Sequence, residues 1–149
     1  MLPFEVIRNI PGYIKLSDGT ELILRVIIGV IDELEKTPTG LSLGIGHRVM
    51  ISAFAPKELK EKVKDKPQPV GKEHHERLDI WNEVKILESR NAIEEVLYTG
   101  SDGKKYRVLV EIEPTIVSRT LEYRDERGNP IYSVRWGTRT LVRFEEEGG

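Results

Sequence analysis

Residues 22–31 form the most hydrophobic stretch of the chain, and only Arg25 and Gly29 interrupt its apolar side chains. Most of these side chains are β-branched, which favours a strand because branching restricts χ1 in a helix. Successive residues of a strand point to opposite faces, so Leu22 and Ile23 begin two separate apolar rows. The pattern therefore predicts a central strand that is covered on both faces.

Turn signals separate this strand from others along the chain. Asp18-Gly19 and Asp102-Gly103 each lie between two alternating segments, which is the pattern of a tight β-hairpin. A third hairpin is predicted around residues 125–130, where Gly128 precedes Asn129. We therefore predict an all-β chain of about eight strands.

The second half of the chain resembles the first in two gap-free stretches. Residues 17–26 match residues 101–110, at an offset of 84 from Ser17 to Ser101. Residues 41–51 match residues 132–142, at an offset of 91 from Leu41 to Tyr132. Repetition at a long period indicates two similar structural units, so we predict an internally duplicated, pseudo-twofold barrel or sandwich. The alternative is coincidence, because hairpins with Asp-Gly turns resemble one another.

Length and repeat pattern together predict a single domain over residues 1–149. Half A would span residues 3–55 and half B residues 80–145, joined by an excursion over residues 56–79. The excursion is rich in lysine and proline, so we expect it to be exposed, with at most one short helix at residues 56–66. Residues 146–149 are expected to form a frayed acidic tail.

Composition limits the classes of function without selecting one. The formal net charge of −2 gives no general attraction to nucleic acid or membranes, and the absence of cysteine excludes disulfide and thiol chemistry. No apolar run reaches the roughly 20 residues that span a bilayer, and no secretory signal is evident, so a cytoplasmic location is expected. Charged residues make up 32% of the chain, which is typical of hyperthermophiles and predicts a thermophilic, archaeal source.

Two adjacent histidines, His74 and His75, form the cluster with metal-ligand chemistry, and acidic side chains surround them. Their spacing matches no zinc motif, so a solvated polar loop is the alternative interpretation. The chain has no phosphate-binding loop, nucleophile elbow or zinc-protease motif. No catalytic residue and no cofactor is therefore predicted.

Arg48 and Arg139 hold matching places in the two halves. Under pseudo-twofold symmetry they would grip one anion between two guanidinium groups, with His47 beside them. The alternative for both arginines is an exposed position or an ordinary salt bridge. His47 itself is predicted on an inward face, where a hydrogen-bonded core histidine is the simpler interpretation.

Arg135, Arg139 and Arg143 recur every fourth residue on one face of the last predicted strand. Such a row would contact the phosphates of RNA or DNA. Tyr132 and Trp136 alternate onto the opposite face, which suits core packing better than base stacking.

These observations favour a non-catalytic binding or assembly module, a subunit of a larger complex that contacts a protein partner or further copies of itself. The first alternative is a protein that binds an anion or phosphate ligand, or an enzyme, at the pseudo-dyad. The second is an RNA- or DNA-binding β-domain that uses the arginine row. No membrane association is predicted.

Overall fold

The computed structural model describes residues 3–145, which form nine strands in a two-layer β-sandwich. The predicted all-β sandwich is confirmed, whereas the barrel alternative is not, because the two sheets do not close. The tail predicted at residues 146–149 lies outside the described residues. The elements are β1 (Phe4–Ile10), β2 (Gly12–Leu16), β3 (Glu21–Thr37), β4 (Gly40–Phe54), α1 (Lys57–Val63), α2 (Glu73–Glu76), a 3-10 turn (Leu78–Ile80), β5 (Asn82–Val84), β6 (Ile86–Arg90), β7 (Ala92–Thr99), β8 (Lys105–Arg124) and β9 (Pro130–Phe144).

Both sheets are antiparallel, and each is organised around one long hairpin. The four-stranded sheet has the order β4-β3-β2-β6. In the five-stranded sheet, β8 pairs with β9 along one side and with β7 and β5 along the other, and β1 borders β7. The halves exchange strands, because β1 continues into β2 but pairs with β7, and β6 continues into β7 but pairs with β2.

The registers of the two long hairpins reproduce the offsets of the sequence repeat. Val26 of β3 pairs with Val49 of β4, and Val110 of β8 pairs with Thr140 of β9. The β8 residue thus lies 84 positions after its β3 counterpart, and the β9 residue lies 91 positions after its β4 counterpart. The two halves therefore have equivalent strand pairing, as the predicted duplication requires.

The core lies between the sheets and uses one face of each central strand. The two central strands contribute Leu22, Leu24, Val26 and Ile28 of β3 and Val108, Val110 and Ile112 of β8. Burying each such side chain stabilises the fold by about 1.5–3 kcal/mol. The prediction that β3 is covered on both faces is wrong: Ile27, on the outer face, is 43% exposed. A two-layer sandwich covers only one face of each sheet.

Backbones approach closely where the halves exchange strands. A Cβ atom at Gly12 would lie 2.6 Å from the carbonyl oxygen of Arg90 and 2.7 Å from the amide nitrogen of Ala92. Real Cβ atoms do not approach backbone atoms this closely, so this crossing requires glycine.

Each long hairpin folds over the short hairpin turn of the other half. Glu33 of β3 accepts hydrogen bonds from the Tyr98 hydroxyl, at 2.5 Å, and from Ser101. In the other half, Asp18 accepts hydrogen bonds from the Tyr132 hydroxyl at 2.8 Å and from Arg119 at 2.9 Å. We call these two hydrogen-bonded groups the polar clasps: one is Glu33 with Tyr98 and Ser101, and the other is Asp18 with Tyr132 and Arg119. They join the two halves at both ends of the sandwich.

Most residues of the excursion are exposed, as predicted, but a few apolar side chains pack it against the sandwich. Leu59 and Val63 lie one helical turn apart in α1 and are both buried against the end of β8. Arg124 donates its backbone N–H to the carbonyl of Pro67 at 3.1 Å and its Nε to that of Lys66 at 2.9 Å. The apolar pair thus anchors a segment whose lysines point to solvent. α1 is the one short helix predicted within residues 56–66, and the later part of the excursion contains α2 and the 3-10 turn.

None of the helices within residues 3–145 has the length and apolar content that a bilayer crossing requires.

Candidate functional site: two unpaired strand edges

Two long strands, β4 and β9, have a partner on only one side. β4 ends the four-stranded sheet and pairs with β3, and β9 pairs with β8. Each is 15 residues long, and neither has a second pairing partner within residues 3–145. An edge of this kind presents a row of unpaired backbone N–H and C=O groups, which is a template for another strand.

These two edges contain no acidic residue. β4 carries Arg48, and β9 carries Arg135, Arg139 and Arg143, whereas neither contains aspartate or glutamate. Removing these four arginines from the chain's 23 basic residues leaves 19 against 25 acidic residues, a net charge of −6 for the remainder. The two unpaired edges therefore carry a net charge of +4, because they lack acidic residues, whereas the rest of the chain carries −6.

The edges also expose large apolar side chains. On β9, Trp136, Val142 and Phe144 alternate toward the inner face but remain 37%, 39% and 42% exposed. On β4, Met50 and Phe54 are more than half exposed. Large apolar side chains exposed along a strand edge are compatible with an interaction site.

A groove of about 680 Å³ lies where the beginning of β4 meets the end of β9. Leu41 and Leu43 line one wall, and Val142 and Phe144 line the other. The Tyr106 hydroxyl accepts a hydrogen bond from the backbone N–H of Leu41 at 3.0 Å and thereby fixes the β4 wall. The groove is thus a recess between the two edges with mixed lining, since polar side chains, among them Arg143, line it beside the apolar ones.

The three β9 arginines share the outer face of the five-stranded sheet but differ in their neighbours. Arg139 contacts Glu111 at 2.8 Å, and Glu111 also accepts a hydrogen bond from Asn91 at 2.9 Å. Arg143 lies opposite another arginine, Arg107, in the β8–β9 ladder. Within residues 3–145, the carboxylates that contact arginines on this face are those of Glu95 in β7, Glu111 in β8 and Glu145 directly after β9.

The structure does not bring Arg48 and Arg139 into one site. Arg48 lies opposite Ile27 on the outer face of the four-stranded sheet, whereas Arg139 lies on the outer face of the other sheet. Arg139 also lines a recess of about 400 Å³ together with Glu111 and Glu113, which makes that recess unfavourable for an anion. The geometry therefore does not support the prediction that Arg48 and Arg139 bind one anion together at the pseudo-dyad.

His47 lies on the inner face, as predicted, since it pairs with the buried Ile28. It is only half-buried, because β4 is an edge and the inner face opens there. Within residues 3–145 it makes no hydrogen bond or ion pair with either proposed arginine.

The placement of the arginine row agrees with the sequence prediction, and so does that of the aromatic side chains. Trp136 pairs with Pro114 on the inner side of the sheet, and the Tyr132 hydroxyl is bonded to Thr20 at 2.6 Å. Neither ring stands beside the arginines, so the row lacks the stacking platform of a single-strand binder.

His74 and His75 lie in α2 with their ring centroids 4.0 Å apart. His74 is buried against Tyr123 and Trp81, which contradicts the interpretation as a fully solvated loop. Burial lowers the pKa of His74, and the neighbouring His75 lowers it further. Among residues 3–145 no third histidine, aspartate or glutamate completes a metal-binding group with them.

The two polar clasps also contain titratable side chains. The hydrogen bond to Glu33 raises the pKa of Tyr98 to about 12, and Ser101 and Tyr98 lower the pKa of Glu33. Burial works to raise the pKa of Asp18, but hydrogen bonds from Thr20, Tyr132 and Arg119 outweigh it and lower that pKa. Both clusters direct their oxygens at groups of the same chain, which assigns them to the fold rather than to a substrate.

Sequence reasoning identified the arginines but not the edges that carry them. Which strand ends a sheet depends on pairing between distant segments, and no local pattern encodes that pairing. A count of acidic residues strand by strand would have marked both segments as unusual.

No family model, curated protein or solved structure matches this chain.

Proposed function

We propose that this protein is a non-catalytic binding or assembly module that contacts a protein partner through the edges of β4 and β9. The observation that carries the proposal is the pair of 15-residue strands that are unpaired on one side and expose apolar side chains. Strand addition to such an edge is a general mode of protein recognition, since backbone hydrogen bonds supply affinity and side-chain pockets supply specificity.

Proteins that do not use their edges usually protect them. Common devices are short edge strands, charged side chains (above all lysine), prolines and bulges that turn the edge away. β4 and β9 are long and contain no lysine; their charged side chains are Arg48 on β4 and three arginines on β9, which oppose self-pairing but not an acidic partner. The proline of β9 stands at its first position, Pro130. The bulged residues of the two hairpins lie on the inner strands β3 and β8, where they leave the outer edges regular.

Composition supports a setting inside the cell of a thermophilic archaeon, as part of a larger complex. The chain has no cysteine, and 32% of its residues are charged. Dense mixed charge favours ion-pair networks at high temperature.

The test introduces one lysine into each edge. Ile51→Lys/Val142→Lys adds gatekeeper charges at two positions that are already 37% and 39% exposed, so the fold should survive. The matched control is Val70→Lys in the excursion, where the side chain is 82% exposed. A partner isolated with the wild-type protein should reassemble from purified components with wild type and control but not with the edge variant.

Hydrogen exchange should then show protection of the β4 or β9 amides in that complex. Protection confined to other surfaces, or assembly that ignores both lysines, would contradict the proposal. Turnover of a small molecule by the isolated monomer would replace it with the enzyme alternative.

The second candidate is nucleic-acid binding by Arg135, Arg139 and Arg143. The observation in its favour is that the three side chains share one exposed sheet face. Glu111 and Glu113 on the neighbouring strand and the inward orientation of Trp136 weigh against it.

A further inference from the structure

We infer that the edge of β9 receives an acidic, extended segment of a different protein, whose carboxylates contact Arg135, Arg139 and Arg143. The inference rests on the proposed function and adds the chemistry of the partner. Residues four apart on a strand lie on the same face about 13 Å from each other. A partner strand that pairs with β9 would therefore present carboxylates at every fourth residue.

Within residues 3–145, the arrangement of charge around β9 leaves arginines available to further anions. Arg143 faces Arg107 across the ladder, and like charges at directly opposed positions destabilise a sheet. The carboxylates near that pair already bind Arg107, since Glu145 contacts it at 3.2 Å and Glu95 at 3.7 Å. The fold thus accommodates Arg143 without supplying it an ion pair within residues 3–145.

Arg135 is in a similar position. It lies opposite Ile116 of β8, which is 39% exposed, and makes no ion pair within the described part of the chain. Arg139 is the member that the fold neutralises, through Glu111. The row therefore offers two guanidinium groups at its ends and a paired one at its centre.

A second copy of this chain does not fit the same edge. The antiparallel register with the fullest overlap of two β9 strands is centred on Gly137 and would oppose Arg135 to Arg139 of the second copy, twice. Pairing β9 with β4 of another copy would bring no opposite charges together, because neither strand contains an acidic residue. Such self-pairing is disfavoured by repulsion, as in natural edge protection.

The inner side of the same edge defines the rest of the partner strand. Val142 and Phe144 are each about 40% exposed and lead into the 680 Å³ groove beside β4. Side chains of the partner that alternate with its acidic positions would face these residues, so the alternate positions should be apolar.

The experiment uses three synthetic 15-residue peptides with valine at every second position. The remaining positions are threonine, except that every fourth residue is glutamate in the first peptide and lysine in the second. The third peptide has no charged residue. Amide shifts of the full-length protein report where each peptide binds. We expect the glutamate peptide to shift the β9 amides and to bind at least tenfold more tightly than the lysine peptide, with an affinity that falls as salt is added.

Charge reversal provides the decisive comparison. Arg135→Glu/Arg143→Glu should reverse the preference and bind the lysine peptide, whereas the control Arg127→Glu, in the exposed β8–β9 turn, should behave as wild type. Equal binding of all three peptides at β9 would overturn the acidic partner while leaving strand addition intact. Shifts confined to surfaces other than β9, or no shifts with any peptide, would also overturn the inference.

A single-stranded or duplex oligonucleotide provides the last arm. Binding of either nucleic acid that depends on Arg135 and Arg143, without binding of the glutamate peptide, would overturn the inference in favour of the nucleic-acid function. The test of the proposed function measures reassembly of the Ile51→Lys/Val142→Lys variant with its purified partner, whereas the test of this inference measures binding of synthetic peptides. The two can therefore fail independently of each other.

Discussion

Arg48 and Arg139 hold equivalent positions on the two long hairpins, yet their surroundings differ. Arg139 lies opposite Glu111 and contacts it, whereas Arg48 lies opposite Ile27. The next outward pair shows the same divergence, since Arg25 faces Met50 in half A and Leu109 faces Leu141 in half B. Outward positions of the two halves have therefore become different surfaces on a common framework.

Inward positions of the halves remain alike. Leu22, Leu24, Val26 and Ile28 correspond to Tyr106, Val108, Val110 and Ile112, and all eight are buried. The inward positions are alike because packing between the sheets limits that face of each strand to apolar side chains of suitable size. The outward face contacts solvent, so its side chains are free to vary. Binding specificity is consequently expected on outward faces and edges.

The largest effects should come from the equivalent core positions. Leu24→Ala should lower the free energy of unfolding by about 2–5 kcal/mol, and Val108→Ala by roughly 1.5–3 kcal/mol, because each leaves a cavity between the sheets. The half-exposed Ile27 is the control, with an expected loss below about 1 kcal/mol in Ile27→Ala. Chemical denaturation measures all three, and a loss at Ile27 equal to that at Leu24 would mean that the outer face is covered.

The next comparison concerns the two places where the chain passes from one sheet to the other. In half A the strand after this passage is β2, which begins with Gly12, and in half B it is β7, which begins with Ala92. Gly12→Ala should destabilise the fold by about 1–3 kcal/mol, since its Cβ would overlap the backbone of β6 and β7. Gly137 has no atom within 4 Å of an added Cβ, so Gly137→Ala should stay within about 0.5 kcal/mol of wild type in thermal unfolding. Equal stability of the two variants would contradict the close approach.

Asp18 and Asp102 are the equivalent turn aspartates of the two halves. Hydrogen bonds lower the pKa of both carboxyl groups in the folded protein. In Asp18 burial acts in the opposite direction but is outweighed, and in Asp102 the hydrogen bond from the Tyr106 hydroxyl has the largest effect. A lowered folded-state pKa means that the stabilisation is complete above the unfolded value of about 4 and is lost as the pH falls through the folded value.

Asp18→Asn should therefore cost about 1 kcal/mol at pH 7 and flatten the loss of stability below pH 4. Asp102→Asn should act in the same direction with a smaller effect, because its turn is more exposed. Denaturation at pH 2.5, 4 and 7 measures both variants. If the free energy of unfolding fell with pH below 4 as steeply in Asp18→Asn as in wild type, protonation of the Asp18 carboxyl group would not be the cause of that fall.

The smallest effect should come from the outward arginines that define the comparison. A double-mutant cycle on Arg139 and Glu111 should give a coupling of about 0.2–1 kcal/mol that decreases with added salt. Arg48→Gln should change stability by less than about 0.5 kcal/mol, since its cross-strand neighbour is Ile27. A larger loss at Arg48 than at Arg139 would reverse the assignment of ionic and apolar surfaces.

Some features of the molecule follow from the amino-acid sequence alone. Alternating side chains and Asp-Gly turns predicted the strands and hairpins, because these depend on neighbours within a few residues. The repeat offsets predicted two similar halves, and the equivalent registers of the two long hairpins agree with that prediction.

Only the tertiary structure decided which strands became edges, which faces stayed uncovered and where the excursion docked. Ile27 and Leu24 belong to the same apolar run, yet one is 43% exposed and the other fully buried. Val63 is buried within a lysine-rich segment that composition assigned to solvent. The physical reason is that a strand pattern specifies faces, whereas the element that covers a face or pairs with an edge comes from a distant part of the chain.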